Sequence, residues 1–499
     1  MAIHPFDSAT DSEIRLASKL VKDAHSASEN VHFVQIDRLD PPKKDMLKYL
    51  EAERNGGPLP SISRVFYCYY YTNTLTFNKA LVNVSIGHIV TKTQLPHGTV
   101  GPFLPEDVMD WEDTCNKHPA VLAEIEKLKL PQGYGIRTDP WIYATDDPNE
   151  KRPLIQFFMY VLANKGHSES NHYSLPLKFS PVFEAHSKKF IRMDFLPAGF
   201  DETITPTLPW QQVTGVEYHP ELNGEVTLRE PKPLLVQQPE GASFTTEGSK
   251  VKWLGWEFRV ATTAREGFAI YDGWFKGRQV FYRISLSEMT VPYGDPRAPY
   301  HRKQAFDLGD CGFGINANPL KLGCDCLGTI KYIDGRMIDS AGEPQILPNT
   351  VCMHEQDAGI LYKHLNYRTQ NAVVARKREF VVQTIATVAN YEYILNFKFT
   401  NDGIVDIETR ATGILSTMPI DENVTVPWGT VVGPNVMAAY HQHILSFRID
   451  PAVDGHKNSV LYEDTEKMPL SKLNPYGIGF VTKKTFLDEA GYIEQSPFT

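Results

Sequence analysis

Residues 381–400 run Val381-Val-Gln-Thr-Ile-Ala-Thr-Val-Ala-Asn-Tyr-Glu-Tyr-Ile-Leu-Asn-Phe-Lys-Phe-Thr400. Val381 to Thr387 and Tyr391 to Thr400 are rich in β-branched and aromatic residues, and Asn401-Asp402-Gly403 follows as a turn signal. The stretch therefore predicts short strands joined by tight turns. The same texture extends in both directions. Val251 to Val260, Phe268 to Tyr271, Gln279 to Leu286, Ile404 to Ala411 and Ile444 to Ile449 are of this kind, with Asp272-Gly273 and Asp334-Gly335 as further turns. Many short strands spaced in this way indicate a large antiparallel β-sandwich over residues 240–499.

Upstream the periodicity changes. Prolines 206, 209, 220, 231, 233 and 239 mark residues 201–239 as a linker. Before it, helices and strands alternate twice. Thr10-Asp-Ser-Glu13 has the form of a capping box, and Ile14, Ala17, Leu20, Val21 and Ala24 follow at helical spacing. Pro41-Pro42 opens a second helix that Asn55-Gly56-Gly57 closes, and strands are expected at Val31 to Asp37, Arg64 to Thr72 and Leu81 to Thr91. A single helix is then expected from Pro105 to Leu128, with strands at Trp141 to Ala144, Pro153 to Ala163 and Phe190 to Phe195. The fold class is α+β: a small unit over 1–100, another over 101–200, the linker, and the sandwich.

Composition narrows the function. The 499 residues hold 50 Lys+Arg against 60 Asp+Glu, a net charge of −10, which argues against a nucleic-acid binder. The most apolar stretch, Leu154 to Ala163, is too short to span a bilayer, which needs about 20 residues. The start, Met1-Ala-Ile-His-Pro-Phe-Asp7, lacks the form of a signal peptide. Six cysteines are too few for a disulfide scaffold. An intracellular protein without a membrane partner is expected.

Three segments can carry chemistry. In His441-Gln442-His443, residues two apart on a strand share a face, so both imidazoles can reach one metal ion; two ordinary half-exposed histidines give the same pattern. Asn390-Tyr391-Glu392-Tyr393 puts two tyrosines on one face of a strand, as a plain aromatic core also does. In Phe306-Asp307-Leu308-Gly309-Asp310, a carboxylate set between an aromatic residue and glycine is either a turn residue or a buried base with a raised pKa.

In this order the segments resemble those of the copper-containing amine oxidases, fungal members included. The resemblance implies oxidative deamination of primary amines by O2 to aldehyde, ammonia and hydrogen peroxide. It makes Tyr391 the precursor of the topaquinone cofactor, with Asn390 beside it to keep the ring from stacking unproductively. His441 and His443 become copper ligands and Asp307 the base that removes the α-proton. Tyr293, in Val291-Pro-Tyr-Gly-Asp295, becomes the partner of a quinone oxygen. It further implies a Cys326–Cys352 disulfide, from Gly323-Cys-Asp-Cys-Leu-Gly328 and Cys352-Met-His-Glu355, and a homodimer. Asp450 is implied as a ligand of a peripheral second cation (calcium or another divalent ion). Ala305 falls at the position of an entrance gate, where a small side chain implies a roomy channel. The family's third copper histidine lies far downstream of the pair, and after His443 this sequence holds only His456, close behind it. The copper set and the sandwich are therefore expected to be incomplete, as in a fragment or a truncated relative. The competing expectation is a non-enzymatic paralogue that binds partners, for instance by dimerising. A zinc hydrolase built on His441 and His443 lacks the His-Glu-x-x-His helix that usually accompanies such a pair. A peroxisomal or cytoplasmic location is expected.

Overall fold

The structure is a computed structural model that describes residues 3–73, 76–213, 215–223, 232 and 234–491. It is mostly β, with few helices, and every pairing between its named strands is antiparallel.

Near the start, the strands Val31–Leu39, Val65–Thr72, Thr76–Asn83 and His88–Gln94 form one sheet in that order. Two strands and a turn occupy the region where one strand was expected from Leu81 to Thr91. The helix Asp11–Asp23 begins with the predicted capping box, the Glu13 N–H donating to Thr10 Oγ1 and the Thr10 N–H to the Glu13 carboxylate. It lays Ile14, Ala17 and Val21 on Phe33, Phe66 and Tyr70 of the sheet. The helix Lys43–Arg54 goes elsewhere: Met46, Tyr49 and Leu50 pack with Ala261, Ala269, Tyr271 and Tyr282 of the later strands.

A second sheet holds Gly135–Ile142, Leu154–Leu162, Phe179–Glu184 and Phe190–Phe195. All nine residues of Leu154–Leu162 are buried, because the strand is covered on both faces. Ile155, Phe157, Met159 and Val161 join the sheet's own core, whereas Phe158 and Tyr160 point into the sandwich core. At roughly 1.5–3 kcal/mol per large apolar side chain buried, this strand fixes the sheet against the sandwich. The helix expected from Pro105 to Leu128 is instead two, Pro105–Lys117 and Pro119–Lys127. Pro119 lacks the N–H needed to continue a helix and holds His118 in an extended conformation (ψ 131°). Part of the proline-rich stretch packs down on the second sheet's core. Trp210 and Val213 pack into the second core, and the Trp210 N–H donates to the Leu128 carbonyl at 2.6 Å.

The sandwich has two main sheets. One runs Gln304–Phe306, Arg278–Pro292, Gly267–Phe275, Trp256–Thr263, Lys250–Trp253 and Thr245–Glu247, with Ile444–Pro451 also paired to Arg278–Pro292. The other runs Lys331–Ile338, Pro344–Leu365, Ala372–Val388, Tyr391–Thr400 and Val405–Gly413. Aromatic pairs join them: Phe258 stacks on Phe399 at 4.1 Å, and Phe268 meets Phe397 edge-on. The quoted stretch is the central hairpin of the second sheet. Val388 pairs with Tyr391, and Ala389 takes a left-handed φ of 53° to turn the chain.

Candidate active site

Tyr391 begins its strand opposite Gly413. That glycine is required: it sits at φ 105°, and a Cβ there would stand 2.5 Å from the Asn390 carbonyl oxygen and 2.9 Å from the Tyr391 Cα. Tyr391 is buried, and its hydroxyl lies 2.7 Å from Nε2 of His441. The other ring nitrogen, Nδ1, is 2.8 Å from the Ala439 carbonyl, which only accepts. The proton of a neutral His441 is therefore on Nδ1, and Nε2 presents its lone pair to the phenol. Burial lowers the pKa of both His441 and His443, which keeps the rings neutral.

His441 and His443 precede the strand Ile444–Pro451 rather than lying within it, a correction to the expected strand placement. His441 is held by a single bridge to Tyr293, whose ring stacks on the imidazole at 4.5 Å and 16°. The rings of His441 and His443 lie 5.0 Å apart, and Nδ1 of His443 is 2.9 Å from the Tyr393 hydroxyl. This donor set suits copper as far as it goes: two neutral imidazoles, one with its second nitrogen fixed by a carbonyl. Among the described residues no third His, Cys, Asp or Glu joins the pair in a metal-donor group. The His456 ring meets Tyr282 edge-on at 6.2 Å instead.

Asp307 opens the one-turn helix Asp307–Asp310. Glu288 and Arg265 clamp that turn. The Leu308 and Gly309 N–H groups donate to Glu288 Oε1, at 2.9 and 3.3 Å. Arg265 donates to the other Glu288 oxygen at 2.8 Å and to the Leu308 carbonyl at 3.2 Å. Asp307 is 4% exposed. Burial, followed by the charges of Asp310 and Glu288, pushes its carboxyl up to about 8.

Tyr293, Ala305, Asp307, Asn390, Tyr391 and Tyr393 all line one cavity of about 80 Å³. A larger cavity, about 270 Å³, lies toward His32, Tyr71 and Trp111 and does not include Tyr391; titratable groups of suitable chemistry converge on the smaller one. Asn390 donates through its side chain to the Ile414 carbonyl, across the hairpin. The buried Tyr293 hydroxyl has no hydrogen-bond partner among the described residues.

Asp450 accepts from Lys43 Nζ at 2.7 Å, so an ammonium already neutralises the carboxylate assigned to a second cation. Cys326 and Cys352, both buried, bring their Sγ atoms to 2.7 Å, so the two cysteines that the resemblance pairs are neighbours.

Nothing in the sequence pattern points to Lys303. It sits in His301-Arg-Lys303, a run that reads as surface, yet it is 1% exposed. Its ammonium donates to Ser416 Oγ at 2.6 Å and lies 4.3–4.7 Å from the ring centres of Phe158, Trp141 and Tyr293. Burial pulls it down to about 7, against the opposing charge of Asp139. The Ser416 N–H in turn donates to the Tyr391 hydroxyl at 3.4 Å.

Residues 245–499 match the family described as copper amine oxidase, enzyme domain. The chain is 39% identical to copper amine oxidase 1 of Aspergillus niger, over all of this chain and 76% of that protein. It is 34% identical to the peroxisomal primary amine oxidase of Pichia angusta, over 95% of this chain and 68% of that one. A crystal structure of a copper-containing benzylamine oxidase from Hansenula polymorpha superposes with a TM-score of 0.96 at 63% identity, covering all of this chain and 78% of that one.

Proposed function

The chain belongs to the copper amine oxidase family, whose reaction is the oxidative deamination of primary amines, and from that premise we propose how its own residues divide the work. Tyr391 is the residue converted to the quinone, and His441 and His443 are two of the copper ligands. The observation that carries this is the Tyr391 hydroxyl on Nε2 of His441, at the wall of a cavity that also holds Asp307. Copper bound there supplies the redox chemistry with O2 that makes the quinone, and the quinone supplies the electrophile for the amine.

Asp307 is the general base. A carboxylate with a pKa of about 8 is a far stronger base than one near 4, and its ionised fraction, a minority at pH 7, grows as pH rises toward 8. The clamp from Glu288 and Arg265 fixes the direction from which it approaches the substrate's α-proton. Tyr293 stacks on His441 and leaves its hydroxyl free for a cofactor oxygen. Asn390 braces the hairpin that carries Tyr391.

For substrate we propose small aromatic primary amines, benzylamine among them. Trp141, Ile142 and Val291 give the cavity apolar walls, Ala305 leaves room beside them, and the relative at 63% identity is a benzylamine oxidase. We read residues 1–100 and 101–200 as two small α+β units, because each keeps a separate core. The hairpin of Pro344–Leu365 and Ala372–Val388 exposes Tyr362, Tyr367 and Val373 at its far end, which favours a homodimer in which this arm meets a second copy. A peroxisomal location fits a peroxide-producing reaction and the relatives named peroxisomal.

Copper and O2 are added to purified protein, followed by redox-cycling quinone staining, peptide mass spectrometry at Tyr391, and benzylamine-dependent peroxide release. Oxygen insertion at Tyr391 is the expected result. Copper uptake with Tyr391 unmodified would place this chain with the non-enzymatic paralogues.

A further inference from the structure

Away from the Tyr391 cavity, three metal-donor side chains converge on the surface of the second sheet. His167 lies in the loop after Leu154–Leu162; His219 and Glu221 come from the proline-rich stretch. One donor atom from each lies within 4.8 Å of the other two. His167 Nε2 is 3.2 Å from Glu221 Oε2, and the two imidazoles, 5.0 Å between centres, are tilted at 53° rather than stacked. We propose that His167, His219 and Glu221 form a second metal site, for a zinc-class divalent cation, that staples the segment around His219 to the second sheet.

The two loops are already held in register. Glu217 accepts from Asn164 Nδ2, Ser170 Oγ and the Asn171 N–H at 2.6–2.9 Å, and Asn171 Nδ2 donates to the Val216 carbonyl at 2.7 Å. Little chain ordering is left for the ion to impose. The charge also suits a cation: Glu221 contacts the His167 ring, Glu169 and Glu217 lie on the same two loops, and among the described residues none of the three pairs with a lysine or arginine. Two imidazoles and a carboxylate, with a fourth position left to water, form a donor set that zinc takes readily and that magnesium and calcium, which want oxygen, do not. One feature opposes binding. The backbone N–H groups of Glu169 and Glu221 donate to Nδ1 of His167 and His219, at 3.2 and 3.4 Å. An ion at Nε2 sends the ring proton to Nδ1 and ends those contacts, but both are at the long, weak end of the range.

The test uses the full chain carrying His441→Ala and His443→Ala, so that the other imidazole pair is silent. Zinc is titrated by calorimetry, and cobalt is followed by its visible spectrum. One zinc per chain and a tetrahedral cobalt band are expected, with no magnesium signal. His219→Ala and Glu221→Gln should each weaken zinc at least about tenfold, since even outer partners of metal ligands carry about 10–100-fold. All three side chains are at least partly exposed, so the variants should fold, and His219→Asn serves as a polar check. No zinc uptake by the parent, or uptake unchanged in His219→Ala and Glu221→Gln, would reduce the cluster to an ion pair between His167 and Glu221 and overturn the site.

Discussion

The hydroxyl of Tyr391 faces Nε2 of His441 across 2.7 Å, and the Ala439 carbonyl holds the other imidazole nitrogen. A phenol and a neutral imidazole lone pair so placed can share a single metal ion. Tyr391→Phe removes the oxygen and keeps the ring in its packing. We expect it to abolish quinone staining and amine oxidation while lowering stability by only about 1 kcal/mol, the worth of one hydrogen bond. Staining and thermal unfolding of the same preparation check both halves.

Asp307→Asn should lower kcat/KM at least about 10²-fold, the lower end of what general base catalysis contributes. It should also stabilise the protein, in a pH-dependent way. The folded carboxyl titrates near 8, whereas in the unfolded chain it would ionise around 4. Between these values the folded state retains a proton that the unfolded state has lost, so stability falls as pH rises through that window. The asparagine variant carries no such burden. Its advantage over the parent should be small at pH 4 and on the order of 5 kcal/mol by pH 8. Melting curves across that range, with a flat difference between the two proteins, would refute a raised Asp307.

Glu288→Gln separates position from charge at the same carboxyl. The amide oxygen still accepts from the Leu308 and Gly309 N–H groups, which holds the turn on that side, while the ion pair with Arg265 and a like charge near Asp307 are gone. The acid limb of the kcat/KM profile should move to lower pH, with maximal activity reduced less than in Asp307→Asn. A profile that falls in height without moving would leave Glu288 a purely structural role.

The strand Tyr391–Thr400 was legible because its residues are β-branched and aromatic and a turn signal follows, and it forms as expected. Asp307, Tyr293, Asn390, Tyr391 and the histidine pair were legible only through resemblance. Each alone had an ordinary structural explanation; the first four are joined by a cavity lined by five separate stretches of chain, and His441 is reached through the Tyr391 hydroxyl. Lys303 was hidden by its neighbours: a lysine after His301-Arg302 reads as solvated, and only the packing of Phe158, Trp141 and Tyr293 around it shows otherwise. The break at Pro119 was written in the sequence, but the apolar spacing through Leu128 outweighed it in the expectation of one helix. Lys43 against Asp450 spans over four hundred residues, a separation at which periodicity carries no information.

Gly413→Ala should disrupt the site from behind. The new methyl would collide with the Asn390 carbonyl and the Tyr391 Cα, at a φ that L residues rarely adopt. A loss of about 1–3 kcal/mol is expected from the strained backbone alone. Because the collision is with the backbone of Tyr391, quinone formation should slow even in the fraction that folds. Thermal unfolding together with the time course of staining measures both.

Ala305→Phe tests the substrate reading. Ala305 pairs with Val291 at the edge of the first sandwich sheet and lines the cavity with Asp307 and Tyr391. Its backbone belongs to a regular ladder, so a larger side chain there should change the cavity more than the fold. The cavity is about 80 Å³, too small to take in a second aromatic ring beside the substrate. Benzylamine should therefore lose at least about tenfold in kcat/KM, equivalent to roughly 1.4 kcal/mol of steric penalty in the transition state. Methylamine has no ring to displace and should lose much less, so the ratio of the two rates is the measurement that matters. A ratio unchanged from the parent would mean that the aromatic ring reaches Tyr391 along a path that does not pass Ala305.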